Sequence, residues 1–355
     1  MNILVIGTGT IGEPLIGLLA DNRDNLGFDK LIFHKRTPLS DEKSKVNSLI
    51  NRGALLAVND NNINEFKDLG HTVSYSFKDA LAESSVIIDC TPAGLKHLDE
   101  HYLPLYSKQD KKSLFIAQGS EKNFGIPYAF GINDKVLKKI QQNFIQVVSC
   151  NTHNICSLLN TLSNKQISDV IYSDFVCIRR ANDISQDDSF IASPQVGPHE
   201  NTTFGTHHAK DAYDLFRTLE HFPNIFSSAI KTNTQYMHTI RFNITIRGSL
   251  SKEDVIDRLM KDKYTAVTEK TSTNKVFSFG RDHGYYGRIL NHTVVSLPTL
   301  STKQFTGSTQ VSGFCFTPQD GNSLLSSVAA AMFGIHNDNY QHYTQYFDKY
   351  LFQEI

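Results

Sequence analysis

Two side chains with the chemistry of a nucleophile and a base stand three residues apart in the stretch 147–159, VVSCNTHNICSLL: Cys150 and His153. A β-type apolar run ends at Cys150 and a helical pattern starts there. The N–H groups at a helix start stabilise a thiolate, the reactive form of cysteine. Residues three apart on a helix share a face, so His153 can reach Cys150 as a base, as a cationic phosphate ligand or as a packing residue. Cysteine is also among the most often buried residue types. Position and type alone therefore leave Cys150 open between a nucleophile and a small core residue.

A second constellation opens the chain. Gly7-Thr8-Gly9-Thr10-Ile11-Gly12 lies between the apolar run NILVI (2–6) and an apolar helical pattern of Ile11, Leu15, Leu18 and Leu19. In a strand–turn–helix unit the first glycine permits the tight turn and the second lets a pyrophosphate approach the backbone. The third lets helix and sheet pack closely, and the helix N-terminus then faces the phosphates. This context points to a dinucleotide site, with a glycine-rich turn in an empty domain as the plain alternative. The next strand, KLIF (30–33), exits through His34-Lys35-Arg36-Thr37-Pro38, without the Asp or Glu of NAD-selective sites. Lys35 and Arg36 can pair with a 2′-phosphate, so NADP is favoured and NAD stays possible. The alternative for both is a solvated basic loop.

The elements that must position these residues follow from pattern. Strand-like runs at 2–6, 30–33, 85–90, 113–117 and 144–149 alternate with helical or loop segments, as in a parallel sheet with crossover helices. Beyond Cys150, longer β-type runs at 169–179, 236–247 and 293–297 flank a polar segment, 182–210. The tail, 322–351, is helical by pattern. The expected fold is α/β. A Rossmann-type parallel-sheet domain spans 1–149 and 322–355, the C-terminal helices packing back on it. An α+β catalytic domain with a mixed or antiparallel sheet spans 150–321.

Composition agrees with this plan. The 355 residues leave room for about two domains at ~150 residues each. Apolar residues make up 40%, with 23 Phe and 14 Tyr, enough for sizeable cores. The 35 Lys and Arg nearly balance the 36 Asp and Glu, so there is no broad electrostatic drive toward nucleic acid or an anionic membrane. Five widely spaced cysteines suit a reducing cytoplasm. No Cys or Cys/His spacing suggests a metal site. The apolar start lacks a basic leader, Glu13 and Pro14 interrupt it, and no stretch approaches a span of ~18 apolar residues. A cytoplasmic protein is the expectation.

An ordered set of motifs then narrows the reading. VIGTGTIG (5–12), HKRTP (34–38), DCTPAG (89–94), AQGSEK (117–122), VVSCNT (147–152), IRRAND (178–183), THHAKD (206–211), TNTQYMHTIRFN (232–243) and a weaker KTSTN (270–274) span most of the chain. In order and spacing they resemble the archaeal-type (type II) glyceraldehyde-3-phosphate dehydrogenases. The resemblance implies that Cys150 is the catalytic cysteine, with Asn151 and Thr152 beside the substrate, and that His238 is the base. It also implies that Arg179 and Arg180 lie near the substrate phosphate and that His207 and His208 match a substrate-side histidine pair. Residues Gly7, Thr8, Gly9, Thr10, Ile11 and Gly12 match the pyrophosphate loop. Lys35, Arg36 and Thr37 match adenosine-phosphate contacts, and Thr91, Pro92, Gly94, Gln118 and Gly119 flank the cofactor.

The implied reaction is reversible, NAD(P)-dependent oxidation of glyceraldehyde 3-phosphate to 1,3-bisphosphoglycerate with inorganic phosphate. It runs through a cysteine thiohemiacetal and thioester, in a homotetramer that serves glycolysis or gluconeogenesis. Adjacent arginines on a strand point to opposite faces, so both reach one site only if the strand ends or bends there. The chain also departs from the family. Cys-Asn-Thr-Thr-Gly is replaced by Cys150-Asn151-Thr152-His153-Asn154, Ala209-Lys210 replace Gly-Pro, and FCFTPQDGN (314–322) is shifted from an acidic segment. These changes fall where substrate is expected. A different phosphorylated aldehyde or a semialdehyde handled by the same mechanism is therefore one alternative, and a non-catalytic cofactor-binding relative is another. Cys90, Cys156, Cys177 and Cys315 read as structural.

Overall fold

Apolar runs without alternation make strands that are covered on both faces. NILVI does so as β1 (Asn2–Ile6), buried from Ile3 onward, near the middle of an eight-stranded sheet in a computed structural model of the chain. The structure describes all residues except Ala93, 109–112, 120–122, 141–142, Ser185, 187–189 and Gln319. Parts of DCTPAG and AQGSEK thus lie outside the described residues.

The sheet also holds β2 (Lys30–His34), β3 (Leu55–Val58), β4 (Val73–Ser76), β5 (Val86–Asp89), β6 (Leu114–Gln118), β7 (Ile126–Tyr128) and β8 (Phe144–Val147). Their order is β4-β3-β2-β1-β5-β6-β8-β7, and every pairing is parallel. The chain runs outward from β1 through β4 and returns to the other side of β1 with β5. The crevice beyond β1 and β5 is therefore a topological switch point, where such sheets bind ligands. The register lines up the exits, with Ile6 opposite both His34 and Asp89 and Asp89 opposite Ala117. β3, β4 and β7 carry three or four residues each, and β4 (VSYS) is only half-buried, so the sequence pattern does not reveal them.

Two compact units emerge. The first comprises Met1–Tyr128, Val136–Val147 and Leu324–Tyr346, and holds the parallel sheet. The second comprises Ala129–Lys135, Val148–Ser323 and Phe347–Ile355. The tail 322–355 is thus divided. Phe347–Ile355 groups with the second unit because Val267 donates to the Gln353 carbonyl and accepts at its own carbonyl from Ile355.

The second unit holds β9 (Val170–Arg179), β10 (Gln195–Val196), β11 (Ile225–Lys231), β12 (His238–Arg247), β13 (Thr265–Thr268), β14 (Thr293–Ser296), β15 (Ser301–Phe305) and β16 (Ser308–Thr317). Its order is β10-β11-β9-β12-β16-β14-β13, with β15 paired to β16. The β9–β11 and β13–β14 pairs are parallel and the rest antiparallel, so the sheet is mixed. β12 alternates buried and half-buried residues, the period of a strand with one face on the core. That core takes in the helix Cys150–Leu162, with Ile155, Leu158 and Leu159 fully buried beside Phe175 and Phe242 of the sheet. Among the described residues, no helix is long and apolar enough to cross a membrane.

Candidate active site

The glycine loop is built from backbone. Gly7 holds φ +93°, and its N–H donates to the His34 carbonyl at 3.1 Å. A β-carbon on Gly12 would lie 2.0 Å from the Gly7 carbonyl oxygen, so only glycine allows the helix Gly12–Asp21 to start this close to β1. A β-carbon on Gly9 would meet nothing within 4 Å, which leaves room over the loop for a ligand. Thr8 is buried, and Thr10 and Ile11 complete the turn into the helix.

The neighbouring strand exits are fixed by a buried acid. Asp89 accepts from the Thr91 N–H (2.9 Å) and hydroxyl (2.7 Å), from His97 Nδ1 (2.7 Å) and from the Tyr102 hydroxyl (2.6 Å). Burial alone would raise its carboxyl, and these bonds bring it below the usual carboxylate range. Thr91 is thereby set beside Gly7, with exposed Pro92 and buried Gly94 next along the chain. Gln118, at the end of β6, donates to Ser327 at 2.6 Å. Its Oε1 is buried without a hydrogen-bond partner among the described residues, an open acceptor beside Gly119. On the β2 side Lys35 is buried, while Arg36 and Thr37 are exposed. Lys35 pairs with Glu42, and Glu42 also accepts from Lys45 at 2.6 Å.

The second unit holds Cys150. Cys150 is the first residue of its 13-residue helix, and Ser149 is the N-cap, accepting from the Thr152 N–H at 3.4 Å. The hydroxyls of Ser149 and Thr152 also bond at 2.9 Å, so Thr152 belongs to the cap. Asn322 donates to the Cys150 carbonyl at 3.0 Å and to the His292 carbonyl at 3.2 Å. The thiol is partly open to solvent, yet its surroundings push it up to about 11. Burial is the main cause. The Arg180 guanidinium opposes it, and Asp320 and Asp183 add to it. The resting side chain at neutral pH is a thiol that needs a proton acceptor.

His238 opens β12 opposite Thr317, the last residue of β16. Its Nδ1 accepts from the Arg180 N–H at 3.1 Å, which leaves the proton of the neutral ring on Nε2. Burial, then Arg180 and Arg179, hold its pKa well below the usual range, so the ring is neutral at pH 7.

The two arginines divide their work as the strand ends. Arg180 is buried and paired with Asp183 (2.5 Å) and Asp320 (3.9 Å), and Asp320 is also held by Arg288 (3.0 Å). Arg179, the last residue of β9, is half-buried and has no carboxylate partner among the described residues. It lies close enough to His238 and His208 to act on both electrostatically.

A polar chain runs behind the cysteine. His208 Nδ1 meets the Thr206 hydroxyl (3.3 Å), and Asn151 donates to His208 Nε2 (3.1 Å). Thr317 donates to Asn151 Oδ1 (3.1 Å) and accepts from Asn154 (2.9 Å), and the Cys315 thiol donates to Asn154 Oδ1 (3.3 Å). Both nitrogens of His208 are thus engaged by protein. His207 turns instead toward Glu200 at 3.5 Å. His153 is fully buried, its Nδ1 donating to the Ser149 carbonyl at 3.0 Å and its ring set edge-on against His292. Burial pulls its pKa down to about 4, so it is a neutral interior residue at pH 7 and carries no charge for a phosphate.

Sequence reasoning did not single out Asp89, Glu42, Lys45, Thr317, Asp320 or Asn322. Three of these sit in FCFTPQDGN, where polar residues follow directly on an apolar strand. Asp89 ends the apolar run VIID, and a buried acid at such a place needs fixed partners.

No family model matches the chain. Curated relatives do. Glyceraldehyde-3-phosphate dehydrogenase of Sulfolobus acidocaldarius is 30% identical over 312 residues, covering 85% of this chain and 84% of the relative. The enzyme of that name from Methanocaldococcus jannaschii is 25% identical over 302 residues, 82% of each chain. The one from Pyrococcus abyssi is 29% identical over 233 residues, 64% of each. With this extent of similarity, joined to the parallel and mixed sheets described above, the chain belongs to the archaeal-type glyceraldehyde-3-phosphate dehydrogenase family.

Proposed function

We propose that this protein is a phosphorylating aldehyde dehydrogenase that converts glyceraldehyde 3-phosphate reversibly to 1,3-bisphosphoglycerate, with NADP as the preferred dinucleotide. The observation that carries the reading is the start of the helix Cys150–Leu162. There a capped cysteine lies in the field of Arg180, whose backbone holds His238. The first unit takes the dinucleotide role. Its glycine loop and the open space over Gly9 fit a pyrophosphate, and the unpartnered Gln118 Oε1 can accept from a hydroxyl or amide N–H elsewhere on such a ligand. The second unit takes the substrate role. By family resemblance the working form is a cytoplasmic homotetramer.

The chemistry follows from the groups present. Addition of the Cys150 thiol across the aldehyde carbonyl forms the S–C bond and moves one proton from sulfur to oxygen. Neutral His238, with its proton on Nε2, can supply the oxygen and recover the proton that sulfur releases. The nicotinamide, when bound, accepts the hydride. As the hydride leaves carbon, the hydroxyl proton passes to His238. Because Nε2 already carries a proton, the incoming one must land on Nδ1, so the ring has to turn that nitrogen from the Arg180 N–H toward the hydroxyl and then carries protons on both nitrogens. Two arginines beside the ring make the imidazolium short-lived, so it gives a proton back readily when phosphate displaces the Cys150 sulfur from the thioester. Arg179, free of carboxylate partners among the described residues, suits the anionic end of the substrate; Arg180 is committed to Asp183 and Asp320.

The departures at His153 and Asn154 are both fully buried, behind the cysteine, so they alter packing and leave the substrate chemistry intact. This favours glyceraldehyde 3-phosphate over another aldehyde. The test is NADPH formation with glyceraldehyde 3-phosphate and inorganic phosphate. Cys150→Ser is expected to lose at least ~10³-fold in kcat/KM while keeping dinucleotide binding. A variant as active as the wild type, or a wild type that turns over only aldehydes lacking the phosphate, overturns the reading.

A further inference from the structure

Where β2 leaves the sheet no acid follows directly, but the fold brings one back. Glu42 closes the short turn Ser40–Glu42, eight residues beyond His34, and reaches the ammonium of Lys35. Its other oxygen takes Lys45 at 2.6 Å. Lys45 lies 3.5 Å from the Thr8 carbonyl, inside the glycine loop, and 3.8 Å from Glu13. Two ammoniums thus share one carboxylate beside the loop. The Lys35 side chain is 8% exposed and that of Glu42 24%, so the lysine is a fixed, largely desolvated cation while the carboxylate keeps a way out to solvent.

We propose that Glu42 sets the choice between dinucleotides: its carboxylate accepts a ribose 2′-hydroxyl, and it swings out when a 2′-phosphate takes its place between Lys35 and Lys45. The inference rests on the dinucleotide reading of the glycine loop and deepens it. A carboxylate is the usual acceptor for a ribose 2′-hydroxyl near this strand exit. A phosphate monoester carries about −1.5 to −2 charge at neutral pH and outcompetes a single carboxylate for two ammoniums, while repelling a carboxylate left in place. This arrangement is therefore already suited to NAD. NADP binding must displace Glu42, and Lys45 joins Lys35 as a phosphate ligand. Arg36, exposed and anchored through its carbonyl to Asn62 (2.7 Å), lies outside the cluster.

The experiment measures dissociation constants for NADPH and NADH, and for adenosine 2′,5′-bisphosphate and AMP, by calorimetry on the wild type and two variants, with thermal melts as folding controls. Glu42→Gln removes the competing charge and is expected to shift the NADPH-to-NADH preference about tenfold or more toward NADPH. Lys45→Met should weaken NADPH and the bisphosphate about tenfold, and change NADH and AMP less than about threefold. If Glu42→Gln moves both dinucleotides equally, or Lys45→Met weakens both alike, the proposal is overturned while the glycine-loop reading stands. A wild type that binds neither dinucleotide overturns both.

Discussion

The glycine loop of the first unit and the cysteine site of the second are both strand-to-helix turns, but they are made of different material. Gly7, Gly9 and Gly12 work through what they lack, and the groups that would meet a phosphate are backbone N–H groups and empty space. Around Cys150 the working parts are side chains. His208, Asn151, Thr317, Asn154 and Cys315 form one buried chain of hydrogen bonds, and Arg180 acts on the thiol through its charge while its N–H donates to His238. A backbone site is set by local sequence and tolerates no added atom where the chain passes close to itself. A side-chain site is set by convergence, and its energy is spread over partners that fail together.

The largest effect expected from this contrast comes from Gly12→Ala. The new methyl would meet backbone on a rigid strand–helix junction, so it should destabilise the fold by about 4 kcal/mol or more, read as a urea or thermal midpoint. Gly9→Ala is its control. With nothing within 4 Å of the added carbon, stability should change by less than about 1 kcal/mol while dinucleotide affinity falls about tenfold or more. Equal stability losses in the two variants would break the distinction between a packing glycine and a ligand-facing one.

An intermediate effect is expected for Thr317→Val, which keeps shape and removes the hydroxyl. Asn151 Oδ1 and Asn154 Nδ2 lose their shared partner, a cost of about 1–3 kcal/mol. Because Thr317 faces His238 in register, kcat/KM should fall about tenfold or more, with dinucleotide binding unchanged. Stopped-flow binding and steady-state rates on the same preparation separate the two readouts. A normal rate would show that the chain of hydrogen bonds is dispensable to the site.

A further effect concerns pH. His153 has a folded pKa of about 4 against an ordinary value of 6.5, and its buried neighbour His292 is also held low by burial and by His153. Depressed histidines bind fewer protons folded than unfolded. Their contribution is present above pH ~6.5 and is lost as pH falls toward 4, by roughly 3 kcal/mol for a full shift of this size. Replacing His153 by Asn should flatten the fall in stability between pH 7 and 4.5, measured by urea unfolding. An unchanged slope would place the acid sensitivity elsewhere.

These contrasts also explain what could be read from the chain. β1, the glycine turn and the helix behind it are legible because strand, turn and helix lie within some twenty residues and each constrains its neighbour. The short strands β3, β4 and β7 escape, because three or four residues give too little pattern and pairing with neighbours makes them strands. Cys150 is legible as a helix-start cysteine. Its thiol near 11 is not, since Arg180, Asp183 and Asp320 reach it from 30 to 170 residues away. His153 shows the limit in the other direction. Three residues along a helix put it within reach of Cys150 on paper, whereas packing turns it onto the Ser149 carbonyl and His292.

The sequence by itself determined the parallel-sheet unit, the glycine turn and the placing of a cysteine at a helix start, because these depend on short-range pattern and on residue types with few substitutes. Only the tertiary structure decided that Arg179 is left without a carboxylate partner among the described residues while Arg180 is bound by two, that His208 faces Asn151 while His207 faces Glu200, and that Glu42 returns to Lys35. The physical reason is the same each time. Charge and hydrogen-bond pairing are satisfied between elements distant in the chain, and the pairing that wins is the one that leaves the fewest buried groups without a partner.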